Sequence, residues 1–81
     1  LLHLSMHTQE YNKVVEEYTS RIFRFAKKML YNAALAEDVV QECFLRLWEK
    51  RANVEKGREK SWLFTTAFRE CLRILESQKR S

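Results

Sequence analysis

The sequence contains no proline and only one glycine, Gly57, in 81 residues. The single glycine excludes the Gly-rich loops that cradle phosphates in nucleotide-binding proteins, because those loops need several closely spaced glycines. With 46% hydrophobic and 32% charged residues, the composition indicates a folded domain rather than a disordered chain. We therefore expect one small domain, and the near absence of helix-breaking residues predicts that it is helical.

Cysteine and histidine are also scarce, with two of each. Cys43 and Cys71 fall among apolar helix positions, where a free thiol behaves as a small hydrophobic side chain. A disulfide or a metal site is the less favoured alternative. His3 and His7 have the four-residue spacing of a metal-binding pair, but they lie in a terminal segment, where a frayed end is the favoured interpretation. Because catalysis would depend on these two histidines, we expect no enzyme and no metal or other cofactor.

Long apolar segments are missing too. No apolar run approaches the roughly 18 residues that a membrane span requires, and Leu1 and Leu2 are too few for a secretion signal. We therefore expect a cytoplasmic protein with no membrane partner. Met6 is a candidate for the natural start, and residues 1–7 are expected to be disordered or to derive partly from an expression vector.

Positive charge is concentrated at the C-terminal end. Residues 1–55 contain eight Lys/Arg and eight Asp/Glu, whereas residues 56–81 contain seven Lys/Arg and three Glu, so the whole net charge of +4 lies in the last third. A basic end on an otherwise neutral domain is typical of proteins with a polyanionic partner. An ordinary solvated face explains the charge equally well.

Three stretches show the three- and four-residue spacing of apolar positions that predicts amphipathic helices. They cover about residues 8–31, residues 34 or 35 to 51, and residues 61–78, with a loop at 52–60. Asn32 is the predicted end of the first helix, and Ser61 is the predicted N-cap of the third. We expect an all-α fold in which three to four helices pack as one compact bundle.

The predicted second helix has a polar side formed by Asp38, Gln41 and Glu42, which are three and four residues apart and share one face. By itself this spacing favours an ordinary solvated helix face. The alternative is a carboxylate-and-amide face for a protein partner.

Aromatic and basic residues combine in the predicted loop and third helix. Trp62 and Phe64 lie close in sequence to five cations: Lys56, Arg58, Lys60, Arg69 and Arg73. Unstacked bases stack on aromatic rings while Lys and Arg neutralise phosphates, so this combination is typical of single-stranded nucleic-acid binding. The alternative places the aromatic rings in the core. That interpretation is favoured for Phe64, whereas Trp62 suits the core and the surface equally.

Four segments follow one another in an informative order. They are RIFRFA in the first helix (21–26), AEDVVQECFLRLW (36–48), the lone Gly57, and SWLF (61–64). In this order and spacing they resemble region 2 of bacterial sigma factors of the extracytoplasmic-function (ECF) group, over roughly residues 11–80. The resemblance implies a helical region 2 domain over residues 1–81 that serves in transcription initiation. It also implies a fragment, because the helix-turn-helix domain called region 4 is absent.

The resemblance assigns a polymerase partner to the second helix. Asp38, Gln41 and Glu42 match the family's D-x-x-Q-E motif, which docks on the clamp helices of the RNA polymerase β′ subunit. Leu45 is expected to add apolar affinity beside them.

The resemblance assigns promoter DNA to the loop and third helix. In the family these segments capture an unstacked base of the non-template strand in the −10 promoter element and so favour strand opening. The residues implied in DNA binding are Lys56, Gly57, Arg58, Lys60, Trp62, Phe64, Arg69 and Arg73.

Two positions depart from the family pattern. Arg69 stands where many members have Asn, which changes the expected base preference, because Arg favours guanine edges or phosphates and Asn suits adenine. Glu59 stands where members often have Phe. We expect Glu59 either to form a salt bridge with Lys56 or Arg58, or to mark a loop that holds its base differently.

Two other functions stay open from the sequence. One is a helical adaptor that binds only protein, for example a decoy for an anti-sigma factor. If the chain is a true sigma factor, an anti-sigma factor is also a candidate partner. The other is a non-specific binder of single-stranded nucleic acid, which would show a steep salt dependence and no dependence on Asp38 or Gln41.

Overall fold

Three α-helices and one short 3₁₀ turn form the protein in a computed structural model, which describes residues 6–80. They are α1 (Thr8–Leu30), α2 (Ala33–Glu49), the 3₁₀ turn (Arg51–Asn53) and α3 (Glu59–Lys79). No strand occurs in this described part of the chain, and the prediction of an all-α bundle is confirmed. Predictions made for residues 1–5 lie outside the described residues.

Helix α1 begins at Thr8, where the first predicted helix was expected to start. The N–H of His7 donates to Glu10 Oε1 at 2.8 Å, which links the residue before the helix to its first turn. This hydrogen bond is the main cause of the lowered pKa of Glu10. Met6 packs into the core with 8% of its surface exposed.

A two-residue connection turns the chain back between α1 and α2. Tyr31 adopts a left-handed backbone with φ of 54°, and its N–H donates to Lys27 O at 2.8 Å, which ends α1. Asn32, the predicted end of the first helix, instead caps the second, because its Oδ1 accepts from the N–H of Leu35 at 2.9 Å. As a result α2 begins at Ala33, slightly earlier than predicted.

Tyr11 fastens the start of α1 to the end of α2. Its hydroxyl donates to Phe44 O at 2.7 Å, and its ring meets the Trp48 ring edge-on, with 4.9 Å between centroids. The Arg51 guanidinium lies 3.6 Å from the centroid of the Trp48 ring, in a cation–π contact. These contacts make α1 and α2 an antiparallel pair.

Helix α3 completes the core. Leu63, Ala67 and Cys71 recur every four residues on one side of α3, and none of them has exposed surface. Within residues 6–80, the other buried hydrophobic residues are Met6, Ile22, Ala26, Leu30, Ala36, Val39, Cys43, Phe44, Leu47 and Val54. Cys43 and Cys71 are free thiols, and burial raises the pKa of Cys43 to about 12.

The predicted start of the third helix is wrong by two residues. Helix α3 begins at Glu59, and the Trp62 N–H already donates to Arg58 O at 3.0 Å. Ser61 is therefore inside the first turn rather than at the N-cap, and its hydroxyl donates to Arg58 O at 3.2 Å. A carboxylate at the first helical position is favoured by the positive end of the helix dipole, which explains the earlier start.

None of the helices in residues 6–80 combines the length and the apolar character needed to cross a membrane.

Candidate functional site

The exposed side of α2 carries the residues that the sequence assigned to a protein partner. Asp38 and Gln41 are exposed, Glu42 keeps 40% of its side chain exposed, and Leu45 is 53% exposed. We call these four residues the α2 face. The α2 face combines carboxylates, an amide and one large apolar side chain, which suits a basic and partly apolar partner surface.

An open groove of about 580 Å³ lies beside the α2 face, between α1 and α2. Its lining residues are Thr19, Ser20, Phe23, Arg24, Glu37, Val40 and Gln41. Phe23 and Val40 are partly buried against the core and give this groove an apolar floor. Sequence reasoning missed this groove, although Phe23 lies off the apolar stripe of α1 and was a signal for it.

The loop before α3 turns at the only glycine. Gly57 has φ of +91°, in the left-handed region that glycine adopts at little cost. The N–H of Arg58 donates to Glu55 O at 2.9 Å, which closes the turn. The charged side chains of Lys56 and Arg58 are 91% and 72% exposed to solvent, respectively.

Glu59 stabilises this turn through the backbone. Its Oε1 accepts from the N–H of Gly57 at 3.0 Å. Of the two alternatives expected for Glu59, the salt bridge with Lys56 or Arg58 does not form. Lys56 Nζ instead lies 4.0 Å from Glu10 Oε2, and Arg58 Nε lies 3.6 Å from Glu55 Oε1. Glu59 thus stabilises the conformation of the loop, because one of its carboxylate oxygens accepts a hydrogen bond from the backbone.

An open groove of about 390 Å³ lies where this loop meets α3, and we call it the α3 groove. Its lining residues are Asn53, Val54, Glu55, Arg58, Ser61, Trp62, Thr65, Thr66 and Arg69. The groove thus combines one aromatic ring, two guanidinium groups and several hydroxyl groups. This set can stack on a flat ring, contact phosphate and donate hydrogen bonds to polar ring edges.

The α3 groove gathers only some of the predicted DNA-binding residues. Arg58, Trp62 and Arg69 line it, and Lys56 and Gly57 belong to the adjoining loop. Phe64 lies elsewhere, because its ring packs edge-on against Phe25 of α1 with 5.4 Å between centroids. Lys60 is exposed near the start of α3.

Several residues of the α3 groove were missed by sequence reasoning. Thr65 and Thr66 had a signal, because they lie three and four residues after Trp62 and so share its side of the helix. Asn53 and Glu55 had none, since their position depends on the path of the loop.

Arg73, the remaining predicted DNA contact, is held by a buried carboxylate. Glu70 is 4% exposed, and its Oε1 accepts from Arg73 Nη2 at 2.7 Å. Its Oε2 accepts from Arg46 Nη2 of α2 at 2.8 Å. The hydrogen bond from Arg73 and the positive charge of both guanidinium groups lower the pKa of Glu70, so its carboxyl stays ionised. Sequence reasoning missed Glu70, although Arg73 follows it by three residues.

Metal binding finds no support in the described part of the chain. Within residues 6–80, no group of three or more His, Cys, Asp and Glu side chains is arranged to hold a metal ion.

Comparison with known proteins adds the family. Residues 14–81 match the family described as sigma-70 region 2. A stretch of 54 residues, 64% of the chain, is 39% identical to the protein named ECF RNA polymerase sigma factor SigL in three strains of Mycobacterium tuberculosis, among them Erdman and Oshkosh. The chain covers 30% of the length of these relatives. No solved structure matches it. The chain therefore belongs to the sigma-70 region 2 family, as its motifs indicated, and it resembles members of the ECF group.

Proposed function

We propose that this chain acts in transcription initiation as region 2 of a sigma factor. In this proposal the α2 face binds the β′ clamp helices of RNA polymerase, and the α3 groove holds an unstacked base of the −10 non-template strand. The chain contributes binding and positioning, with no bond chemistry, and is expected to work in the cytoplasm with the polymerase. The observation that carries the proposal is the α3 groove, because an aromatic ring and two cations meet there inside the segment that matches region 2.

The polymerase half of the proposal is supported by the exposure and chemistry of the α2 face. Asp38 and Gln41 lie free for contact at the surface of α2, and Leu45 offers an apolar centre that is 53% exposed. Carboxylates that meet basic side chains mainly set orientation and association rate, while apolar burial adds affinity. Both contributions are available on this one helix side.

The DNA half is supported by the presence of Trp62 and two cations in one groove. Trp62 lines the α3 groove together with Arg58 and Arg69. Unstacking a base costs a few kcal/mol, and stacking it on an aromatic side chain returns about 1–3 kcal/mol. The cations add attraction to the neighbouring phosphates. Stacking on Trp62 and attraction to the cations of the α3 groove together offset the free-energy cost of strand opening.

Binding of the chain to a polymerase fragment that contains the β′ clamp helices tests the first half. The Asp38→Ala, Gln41→Ala double variant is expected to bind about tenfold or more weakly, as two lost polar contacts of roughly 1 kcal/mol each imply. Glu17→Ala is the matched control, since it removes an exposed carboxylate of α1 outside the α2 face. Equal affinity of the double variant and the wild type would show that the α2 face does not hold the clamp.

Binding of a labelled single-stranded oligonucleotide, selected from a pool with randomised −10 positions, tests the second half. Arg69→Ala is expected to weaken binding. It is also expected to make the slope of log affinity against log salt shallower by about the amount that one phosphate contact contributes. Lys28→Ala removes an exposed cation of α1 and is expected to change neither quantity. If both variants reduce affinity equally, the attraction is general and the α3 groove is not the site.

The same two assays separate the alternative functions. A protein-only adaptor binds the clamp helices and ignores the oligonucleotide. A non-specific nucleic-acid binder binds every oligonucleotide of the pool alike and does not depend on Asp38 or Gln41. Binding of an anti-sigma factor remains a prediction from the family resemblance.

A further inference from the structure

Four charged side chains connect the α2 face to the outer side of α3. Arg46 Nε donates to Glu42 Oε2 at 2.8 Å, and Arg46 Nη2 donates to Glu70 Oε2 at 2.8 Å. Glu70 Oε1 accepts from Arg73 Nη2 at 2.7 Å and from Arg73 Nε at 3.3 Å. Negative and positive charges therefore alternate from Glu42, on the proposed polymerase-binding face, to Arg73, a predicted DNA contact.

Glu70 is the most buried of the four charged side chains in this series of ion pairs. Only 5% of the Glu70 side chain is exposed, against 42% for Arg46 and 66% for Arg73. A carboxylate buried to this degree must keep a cationic partner, because an unpaired charge is strongly penalised away from water. Two arginines share the task, so Glu70 tolerates the loss of one only while the other stays bound.

Arg46 divides its guanidinium between two carboxylates. A basic side chain of a partner that pairs with Glu42 weakens the hydrogen bond from Arg46 to Glu42. More of the Arg46 guanidinium then becomes available to Glu70. Arg73 is more exposed than Arg46, the other partner of Glu70. Leaving Glu70 to bind a phosphate therefore costs Arg73 less desolvation than it would cost Arg46.

We propose that Glu70 is a positioning residue that couples the two binding sites, so that a basic partner at Glu42 releases Arg73 to a phosphate of the bound strand. Coupling of this kind is reciprocal, so strand binding through Arg73 strengthens polymerase binding by the same factor. This inference rests on the proposed function and adds to it a route by which polymerase binding would increase strand binding. It concerns a residue that no family motif in the sequence singles out.

The first test uses the free 81-residue chain and needs neither partner. Exchange of the Arg73 Nε–H with water is measured by NMR in the wild type, in Glu42→Gln and in Glu76→Gln. Glu42→Gln imitates a neutralised Glu42 and is expected to speed this exchange, because Arg73 is held less. Glu76→Gln makes the same change on α3, next to Arg80 rather than in the chain of ion pairs, and is expected to leave it unchanged. If the Arg73 Nε–H exchanges at the same rate in Glu42→Gln as in the wild type, the proposal is overturned.

The second test measures oligonucleotide affinity with and without a saturating fragment of the β′ clamp helices. The wild type is expected to bind the strand about 5-fold or more tightly when the fragment is present, within the usual range of coupling between sites. Glu70→Gln is expected to bind the strand more tightly than the wild type when free, and to gain nothing from the fragment. Glu76→Gln keeps the wild-type gain.

A full gain from the fragment in Glu70→Gln shows that coupling does not pass through Glu70. If Glu70→Gln fails to fold, as thermal unfolding will show, Glu42→Gln takes its place, and a full gain in that variant overturns the proposal equally. If the wild type binds neither probe, the proposed function fails, and the exchange of Arg73 in Glu42→Gln alone decides whether Glu70 links the two sides.

Discussion

Trp62 and Phe64 are two positions apart in α3 and both are partly buried, but their neighbours differ. Trp62 lines the α3 groove, whereas Phe64 packs against Phe25 of α1 at an interplanar angle of 84°. We predict that Trp62→Ala mainly weakens strand binding and that Phe64→Ala mainly weakens folding. The two variants remove aromatic rings from one helix, so each serves as the control for the other.

The expected magnitudes follow from these neighbours. Loss of one base stack costs about 1–3 kcal/mol, so Trp62→Ala is expected to lower strand affinity about 5- to 140-fold. Full burial of a Phe ring makes its replacement by Ala cost about 3–5 kcal/mol, and for the partly buried Phe64 we expect roughly 2–3 kcal/mol, including its aromatic pair. The strand affinity of folded Phe64→Ala is expected to stay within about twofold of the wild type, because its ring packs against Phe25 and does not line the α3 groove.

Two measurements check this pair of variants. Fluorescence anisotropy gives the affinity for the selected single-stranded oligonucleotide at a temperature where circular dichroism shows both variants folded. Urea unfolding gives the free energy of unfolding of each variant. The reasoning is refuted if Phe64→Ala lowers strand affinity as much as Trp62→Ala, or if Trp62→Ala binds the strand like the wild type.

Three further predictions concern stability. Gly57→Ala is expected to cost about 1 kcal/mol, because its φ of +91° suits glycine although nothing lies within 4 Å of the added Cβ; an unchanged urea midpoint would contradict this. Leu63→Ala empties a fully buried position and is expected to cost about 2–5 kcal/mol, and Leu72→Ala, at 46% exposure, much less; equal losses would place the core elsewhere. Burial raises the pKa of Cys43 from 9.0 to about 12. Between these pH values the unfolded thiol therefore loses a proton that the folded one keeps, and stability falls as pH rises. Cys43→Ala should lessen that fall in urea titrations at pH 9 to 11, and an identical pH slope would exclude this role of the thiol.

The helices could be predicted because their apolar spacing is a local property of the sequence. The start of α1 near Thr8 was also predictable locally, because Thr8 with Glu10 nearby suits a helix N-terminus. The ends were harder to predict, since Asn32 suits both the end of one helix and the cap of the next. Ser61 was taken for an N-cap because Ser favours that position, but the loop already becomes helical at Glu59. Short-range preference therefore located the helices but not the caps between them.

The candidate site divides in the same way. The α2 face lies within one helix, so the spacing of Asp38, Gln41 and Glu42 was enough to place these side chains together. The pair between Arg46 and Glu70 joins residues 24 positions apart and depends on how α3 packs on α2, which no local pattern encodes. The partner of Glu59 was also missed, because a carboxylate can accept a backbone N–H as readily as it pairs with a cation. The binding roles of these residues remain predictions.

One measurement tests the central claim most directly: retention of a labelled −10 non-template oligonucleotide by RNA polymerase core in the presence of this chain. We predict that the chain brings the strand to the core. We also predict that the Asp38→Ala, Gln41→Ala double variant lowers this retention about tenfold or more and that Trp62→Ala lowers it at least about fivefold, although each change leaves one of the two binding sites intact. Retention that survives both sets of changes, or a chain that binds core and strand only in separate complexes, would contradict a domain that joins polymerase to promoter.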